Sequence, residues 1–274
     1  MALATVHRNV LARYAVPRAE VFGEPRLNWV KRQVAALNPS SLVDVGCGIA
    51  YSTYVVADGR PFTGIDMDEG NLALARDILT DVDGAKLVHS TAGEIPLDAA
   101  SADCVLMTEV LEHLDDERPA LAEVLRVLRP GGTLLVTVPG LRFGFDSSLR
   151  FLPVRTVHDV PGPEFHVRPG YNIDDMRDLL EGAGFIAKEV HWLVGPVRRL
   201  LQDGIGLGHI AVQRLMYGRS SWNWSGATET EGSAAFSIYS RARPLLRRLA
   251  SLDERLSLPA GFQVVARAIK PEAS

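Results

Sequence analysis

The sequence predicts an α/β fold, a doubly wound parallel sheet with helices on both of its faces. Two observations predict it. Short apolar runs alternate with segments of helical period from Leu42 to Trp192, the pattern of strand–helix–strand units. The first run, Leu42–Val45, ends in glycines and the second, Phe62–Ile65, ends on an acid, the layout of a site at the carboxyl ends of parallel strands. Right-handed crossovers then fix the winding.

Each element has a local reason. Residues 1–24 carry helical patches broken at Pro17 and Pro25, and Leu27–Leu37 has apolar positions at Leu27, Val30, Val34 and Leu37 before the stop at Asn38-Pro39. Together they predict a helical cap over residues 1–39. Strands follow at Leu42–Val45, Phe62–Asp66, Lys86–His89, Cys104–Met107 and Thr133–Val138. Between them helices are expected at Tyr51–Ala57, Glu69–Leu79 and Glu117–Leu128, with a turn at Pro130-Gly131-Gly132. After a long loop, a helix over Ile173–Glu181 stops at Gly182 and Gly184, then strands are expected at Phe185–Trp192 and Phe262–Ile269.

The core thus spans residues 40–194 and 261–274, and residues 195–260 are an insertion. Two apolar-basic patches, Val197–Met216 and Ala242–Leu256, flank Trp222-Asn223-Trp224 there, with nine arginines against five acids from Gly195 to Ala260. A helical subdomain is expected, serving as a cover over the substrate or as a homodimer contact. A surface for lipid-linked, amphiphilic or anionic molecules, in peripheral contact with a membrane, is the alternative.

At 274 residues the chain can bury a full core. A net charge of −4 gives no reason to expect nucleic acid as a partner. Two cysteines, Cys47 and Cys104, show neither pairing nor metal spacing, so a reducing cytoplasm is expected and no metal site. Arg8, Arg13 and Arg18 interrupt the N-terminal stretch, which therefore does not read as a signal peptide, and no segment reaches 18 apolar residues.

The chemistry concentrates where the first strands end. Val45 gives way to Gly46-Cys47-Gly48, and the next strand ends on Asp66, eighteen residues after Gly48. Glycines let backbone approach a ligand closely, and an acid at that point accepts hydrogen bonds from a ribose diol. Two nucleoside cofactors use such a layout. A dinucleotide wants a third glycine at position 51, which is Tyr51. Asp44 would also repel a pyrophosphate, whereas it suits the amino group of a methionine-type cofactor. The residues argue for S-adenosylmethionine over a nicotinamide.

Six segments then carry a resemblance: Asp44-Val45-Gly46-Cys47-Gly48, Gly64-Ile65-Asp66, Glu94-Ile95-Pro96-Leu97, Ala102-Asp103-Cys104-Val105-Leu106, Glu109-Val110-Leu111-Glu112-His113-Leu114 and Leu128-Arg129-Pro130-Gly131-Gly132-Thr133-Leu134. In this order the chain resembles the class I S-adenosylmethionine-dependent methyltransferases, in particular the small-molecule, ubiquinone-biosynthesis-like branch (type 11). It departs at Ala50, where glycine is frequent, and at Thr91, where an acid is. The resemblance implies a Rossmann-like sheet of about seven strands, the last antiparallel. It assigns Asp44, Gly46, Cys47 and Gly48 to the methionine end and its surroundings. Asp66 goes to the ribose, Met67, Thr91 and Ala92 to the adenine, and Thr108 to the region of the methionine. His113 on the same rim, with His158 and His166 in the loop after the fifth strand, are the candidate proton acceptors. Arg168 and Tyr171 are candidates for binding the acceptor. The implied reaction is methyl transfer to a small or amphiphilic acceptor, favoured at oxygen, leaving S-adenosylhomocysteine. Transfer to nitrogen or carbon, a nicotinamide oxidoreductase and a catalytically silent cofactor-binding scaffold stay open at this point.

Overall fold

The computed structural model describes residues 24–79, 82–140, 167–168, 170–193 and 263–272, with 245, 248, 249 and 252 besides. Helix α1 (Glu24–Leu37) leads into β1 (Leu42–Val45), α2 (Tyr51–Ala57), β2 (Phe62–Asp66), α3 (Glu69–Ile78) and β3 (Lys86–His89). Then come β4 (Ala102–Thr108), a 3₁₀ turn (Leu111–His113), α4 (Arg118–Val127), β5 (Leu128–Pro139), α5 (Ile173–Gly182), β6 (Ile186–Trp192) and β7 (Gln263–Ile269). One seven-stranded sheet results, in the order β3-β2-β1-β4-β5-β7-β6. Strands β1 to β5 pair parallel, while β7 lies antiparallel between β5 and β6.

The order matters for function. The chain winds outward from β1 through β2 to β3, then crosses back to place β4 on the other side of β1. Between β1 and β4 the winding direction reverses, and a crevice opens at the carboxyl ends of the strands there. That is where Val45 and Thr108 end their strands.

Side-chain periodicity explains the layers. Helix α4 turns Ala120, Leu121, Val124 and Val127 inward, and all are fully buried against the sheet. Burying Leu121 or either valine is worth about 1.5–3 kcal/mol relative to exposure. Helix α3 starts where Asp68 accepts from the Gly70 and Asn71 amides at 2.7 and 3.3 Å, a cap worth about 1 kcal/mol. Helix α5 starts in the same way, Asn172 accepting from the Asp175 amide at 2.7 Å.

Two boundaries differ from the sequence reading by three residues or more. Helix α1 begins at Glu24, before Pro25, because a proline in the first turn lacks only an amide that would be unpaired anyway. Strand β5 begins at Leu128, not Thr133, so Pro130-Gly131-Gly132 is an irregularity within the strand. Leu128 pairs with Ala102, the ladder resumes at Thr133 opposite Cys104, and Gly131 takes up the kink at φ 76° while its amide donates to the Lys270 carbonyl.

The sheet belongs to one of two compact units, formed by Arg26–Gly144, Arg155–Leu193 and Gln263–Ser274; the other comprises Met1–Pro25, Phe145–Val154 and Val194–Phe262. The expected cap over residues 1–23, the loop with His158 and His166, and nearly all of the 195–260 insertion lie outside the described residues.

Candidate active site

The loop after β1 is tied to β2. The amides of Gly46 and Cys47 both donate to the Ile65 carbonyl, at 2.8 and 3.0 Å. Gly46 holds φ 75°, and a Cβ there would lie 2.5 Å from Val110 Cγ2, so the position admits only glycine. Gly48 also has positive φ, 54°, but a Cβ on it would meet nothing within 4 Å. Glycine at 48 faces open space, as a backbone that receives a ligand should. Ala50 takes a left-handed conformation at the start of α2, one that glycine would adopt without strain.

Asp66 closes this loop from the other side. One of its carboxylate oxygens accepts from the Gly48 amide at 2.7 Å and the other from the Asp68 amide at 2.9 Å. Both oxygens are thereby oriented, and each keeps a lone pair for a further donor. A vicinal diol supplies two such donors. Met67 follows with 71% of its surface exposed, an apolar side chain largely open beside the acid. His89 Nε2 stands 2.9 Å from the Met67 carbonyl oxygen, and the Ser90 amide donates to the Asp66 carbonyl at 3.1 Å. Thr91, exposed, and Ala92, half-buried, follow directly on that tie.

Asp44 lies on β1 between Gly64 and Leu106. It is buried, and Thr53 Oγ1 of α2 donates to its Oδ2. Its Oδ1 is equally buried and has no hydrogen-bond partner among the described residues. Burial raises the Asp44 carboxyl to about 7; the Thr53 hydrogen bond opposes the rise, Asp66 adds to it, and Arg26 opposes it. Such an oxygen is satisfied by a cationic donor, and the ammonium of an amino acid is one.

A second polar group surrounds the end of β4. Glu109 accepts from Thr137 Oγ1 at 3.1 Å and Gln263 Nε2 at 3.2 Å, and pairs with Arg26 at 3.3 Å. It holds φ 58°, a conformation that costs a non-glycine residue about 1–3 kcal/mol. Glu112 is fully buried, with both carboxyl oxygens unpartnered. Burial first, and the Glu109 charge second, push the Glu112 carboxyl well above the ordinary carboxylate range. Thr108, half-buried, ends β4 opposite Thr137, and His113 sits half-buried in the 3₁₀ turn.

Arg168 and Tyr171 are engaged elsewhere. Arg168 donates to the Leu114 carbonyl at 2.7 Å, pairs with Glu117 and lies over the Tyr171 ring at 5.6 Å. The Tyr171 hydroxyl donates to Glu117 at 2.8 Å, and its ring is buried. This latch ties Arg168 and Tyr171 to the 3₁₀ turn and the start of α4. Cys47 is buried, and burial together with the Asp44 and Asp66 charges pushes its thiol up, away from a nucleophilic thiolate. Among the described residues no group of three or more His, Cys, Asp or Glu side chains is placed to hold a metal ion.

The structure therefore brings Asp44, Gly46, Cys47, Gly48, Asp66 and Met67 to one crevice. Arg26, Thr53, Glu109, Glu112 and Gln263 escaped the sequence reading. For Glu109 and Glu112 a signal existed, since both flank Leu111 in a segment already singled out for His113. Gln263 reaches the site from the far end of the chain, so spacing carries no trace of it.

This crevice and sheet have the layout of a nucleoside-binding α/β domain. Residues 43–136 match the family described as "Methyltransferase domain". A Mycolicibacterium smegmatis protein described as a probable S-adenosylmethionine-dependent methyltransferase is 37% identical over 145 residues, 53% of this chain and 51% of that protein. The chain thus spans about half the length of that relative. The O-methyltransferase cnsE of Penicillium expansum is 28% identical over 72% of each chain. Among solved structures, the [4+2]-cyclase SpnF superposes with a TM-score of 0.52 at 19% identity, covering 85% of this chain and 75% of that one, a likeness of fold. Residues 43–136 thus match a methyltransferase-domain family, and the cofactor named for its relatives is S-adenosylmethionine. The residues fit that group: Asp44 Oδ1 lacks a partner among the described residues, Gly48 faces open space, and Asp66 is held for a diol.

Proposed function

We propose that this chain transfers a methyl group from S-adenosylmethionine to an oxygen of a small or amphiphilic acceptor, of the natural-product, glycan or lipid-like classes. The observation that carries the cofactor half is the pair of buried acids across Gly46-Cys47-Gly48, one with an unpartnered oxygen and one oriented by two amides. Oxygen as the target is supported by the O-methyltransferase cnsE, the relative aligned over 72% of both chains. When bound, the cofactor supplies an activated methyl carbon, whose bond to sulfur breaks as the bond to the acceptor oxygen forms.

The chain's own residues then have four tasks. Asp66 holds the ribose diol, with Met67, Thr91 and Ala92 on the adenine side. Asp44 accepts from the α-ammonium. Arg26, whose Nε is buried and unpartnered and whose charge reaches Asp44, faces the α-carboxylate. The acceptor hydroxyl loses its proton to a group on the rim, and His113 in the 3₁₀ turn is that candidate, with His158 and His166 in the loop beyond β5. Arg168 and Tyr171 we assign to holding this rim together through Glu117. In-line alignment does the rest.

We place the protein in the cytoplasm, in keeping with two buried, unpaired cysteines. No described helix is long and apolar enough to cross a membrane, and the 195–260 insertion is assigned to acceptor cover or self-association. The test is turnover. The protein incubated with methyl-labelled cofactor and a panel of phenols, hydroxy acids, sugars and amines should release S-adenosylhomocysteine with hydroxylated acceptors. Labelling confined to amines or carbon acids would overturn the choice of oxygen.

A further inference from the structure

We propose that Thr53 is a positioning residue for the amino-acid end of the cofactor: its hydroxyl engages one oxygen of Asp44, leaves the other for the α-ammonium, and so sets the pH at which the site can bind. The proposal rests on the assignment of Asp44 to that ammonium.

The geometry is local and closed. Thr53, Val56 and Ala57 form the buried stripe of α2, so the helix period itself aims position 53 at the sheet. Both Thr53 and Asp44 are buried, and the hydroxyl donates to Oδ2. A β-branched side chain is stiff at χ1, which fixes where that proton points. Oδ1 has no partner among the described residues. One oxygen is thus committed to the protein and one is not, within a single carboxyl that water does not reach.

The charges facing Asp44 come from two elements. Asp66 at the end of β2 opposes its ionisation, and Arg26 on α1 favours it. The Cys47 and Cys104 thiols lie close enough to feel the Asp44 charge, but burial keeps both protonated and neutral. Against burial, the largest influence, the Thr53 hydrogen bond is the strongest that favours the carboxylate. An ammonium binds the ionised acid, so removing the hydroxyl both frees the carboxyl to rotate and moves its ionisation to higher pH.

The experiment is calorimetric titration with S-adenosylhomocysteine from pH 5.5 to 8.5 for the wild type, Thr53→Val and Thr53→Ser. 5′-Methylthioadenosine, which lacks the amino-acid end, is titrated in parallel. Wild-type affinity for S-adenosylhomocysteine should climb through a midpoint near pH 7. Thr53→Val should shift that midpoint up by about one unit and weaken binding about fivefold at pH 7, while Thr53→Ser keeps the wild-type profile. Methylthioadenosine should bind all three proteins alike at every pH. A Thr53→Val profile that superimposes on the wild type would overturn the proposal, as would equal weakening of methylthioadenosine. Should Asp44→Asn keep the pH-dependent rise, the assignment of Asp44 fails first, whatever Thr53 does.

Discussion

At position 46 the fold leaves no freedom. Gly46→Ala places a methyl 2.5 Å from Val110 Cγ2 on a backbone with positive φ, and we predict a loss of about 1–3 kcal/mol of stability in a thermal or urea melt. Affinity for S-adenosylhomocysteine should fall with it, because the displaced backbone lines the crevice. Arg26 supports a different prediction. Arg26→Gln should weaken S-adenosylhomocysteine binding at least tenfold yet leave 5′-methylthioadenosine, which has no carboxylate, within a factor of two. Equal losses for both ligands would make Arg26 a packing residue. The contrast between these positions explains what sequence alone could reveal. Gly46, Gly48 and Asp66 act through the backbone beside them, so their spacing carries the message. Arg26 and Thr53 act on carboxyls that only the folded chain brings near, and the full burial of Glu112 shows only in the fold.

Between residue and molecule stands the clamp on the loop after β3. The Ile95 amide donates to Glu123 at 2.8 Å, while Arg126 donates to the Leu97 carbonyl at 2.8 Å and to the Ile95 carbonyl at 2.7 Å. Arg126 and Glu123 also pair at 2.7 Å, and that pairing pulls the Glu123 carboxyl down to about 2. Helix α4 thus holds the loop that carries Thr91 and Ala92. Arg126→Ala should speed amide hydrogen exchange across residues 92–97 and weaken adenosine-containing ligands several-fold. Arg118→Ala, on the exposed first turn of the same helix, should do neither. Elements of this kind were largely legible from hydrophobic period: α2, β2 and β3 fall where alternation placed them. The misses have physical causes. Pro25 reads as a breaker until the first-turn exemption applies, and Pro130-Gly131-Gly132 reads as a turn because a bulge inside a strand needs a partner strand to be seen.

For the whole molecule the buried acids set the pH response. Asp44 is raised by burial to about 7, and Glu112 is raised by burial and by Glu109. Above the ordinary carboxylate pKa of about 4, the unfolded chain has released protons that the folded chain still holds. Stability of the ligand-free protein therefore falls as pH rises from about 4 to about 7 through Asp44, and continues to fall through Glu112. Glu112→Gln removes one of these liabilities, so its melting temperature should exceed the wild type's at pH 8 and lose that advantage at pH 5. An advantage of equal size at both pH values would mean that Glu112 titrates in the folded state as it does in the unfolded one.

The cofactor site is the claim on which the rest depends, and titration of the purified protein with S-adenosylhomocysteine beside its Asp66→Ala variant tests it most directly. Micromolar binding by the wild type, lost at least a hundredfold in the variant with its melting temperature little changed, is the result predicted. A wild type that binds no S-adenosylhomocysteine, or a variant that binds it equally well, would contradict the assignment of this crevice.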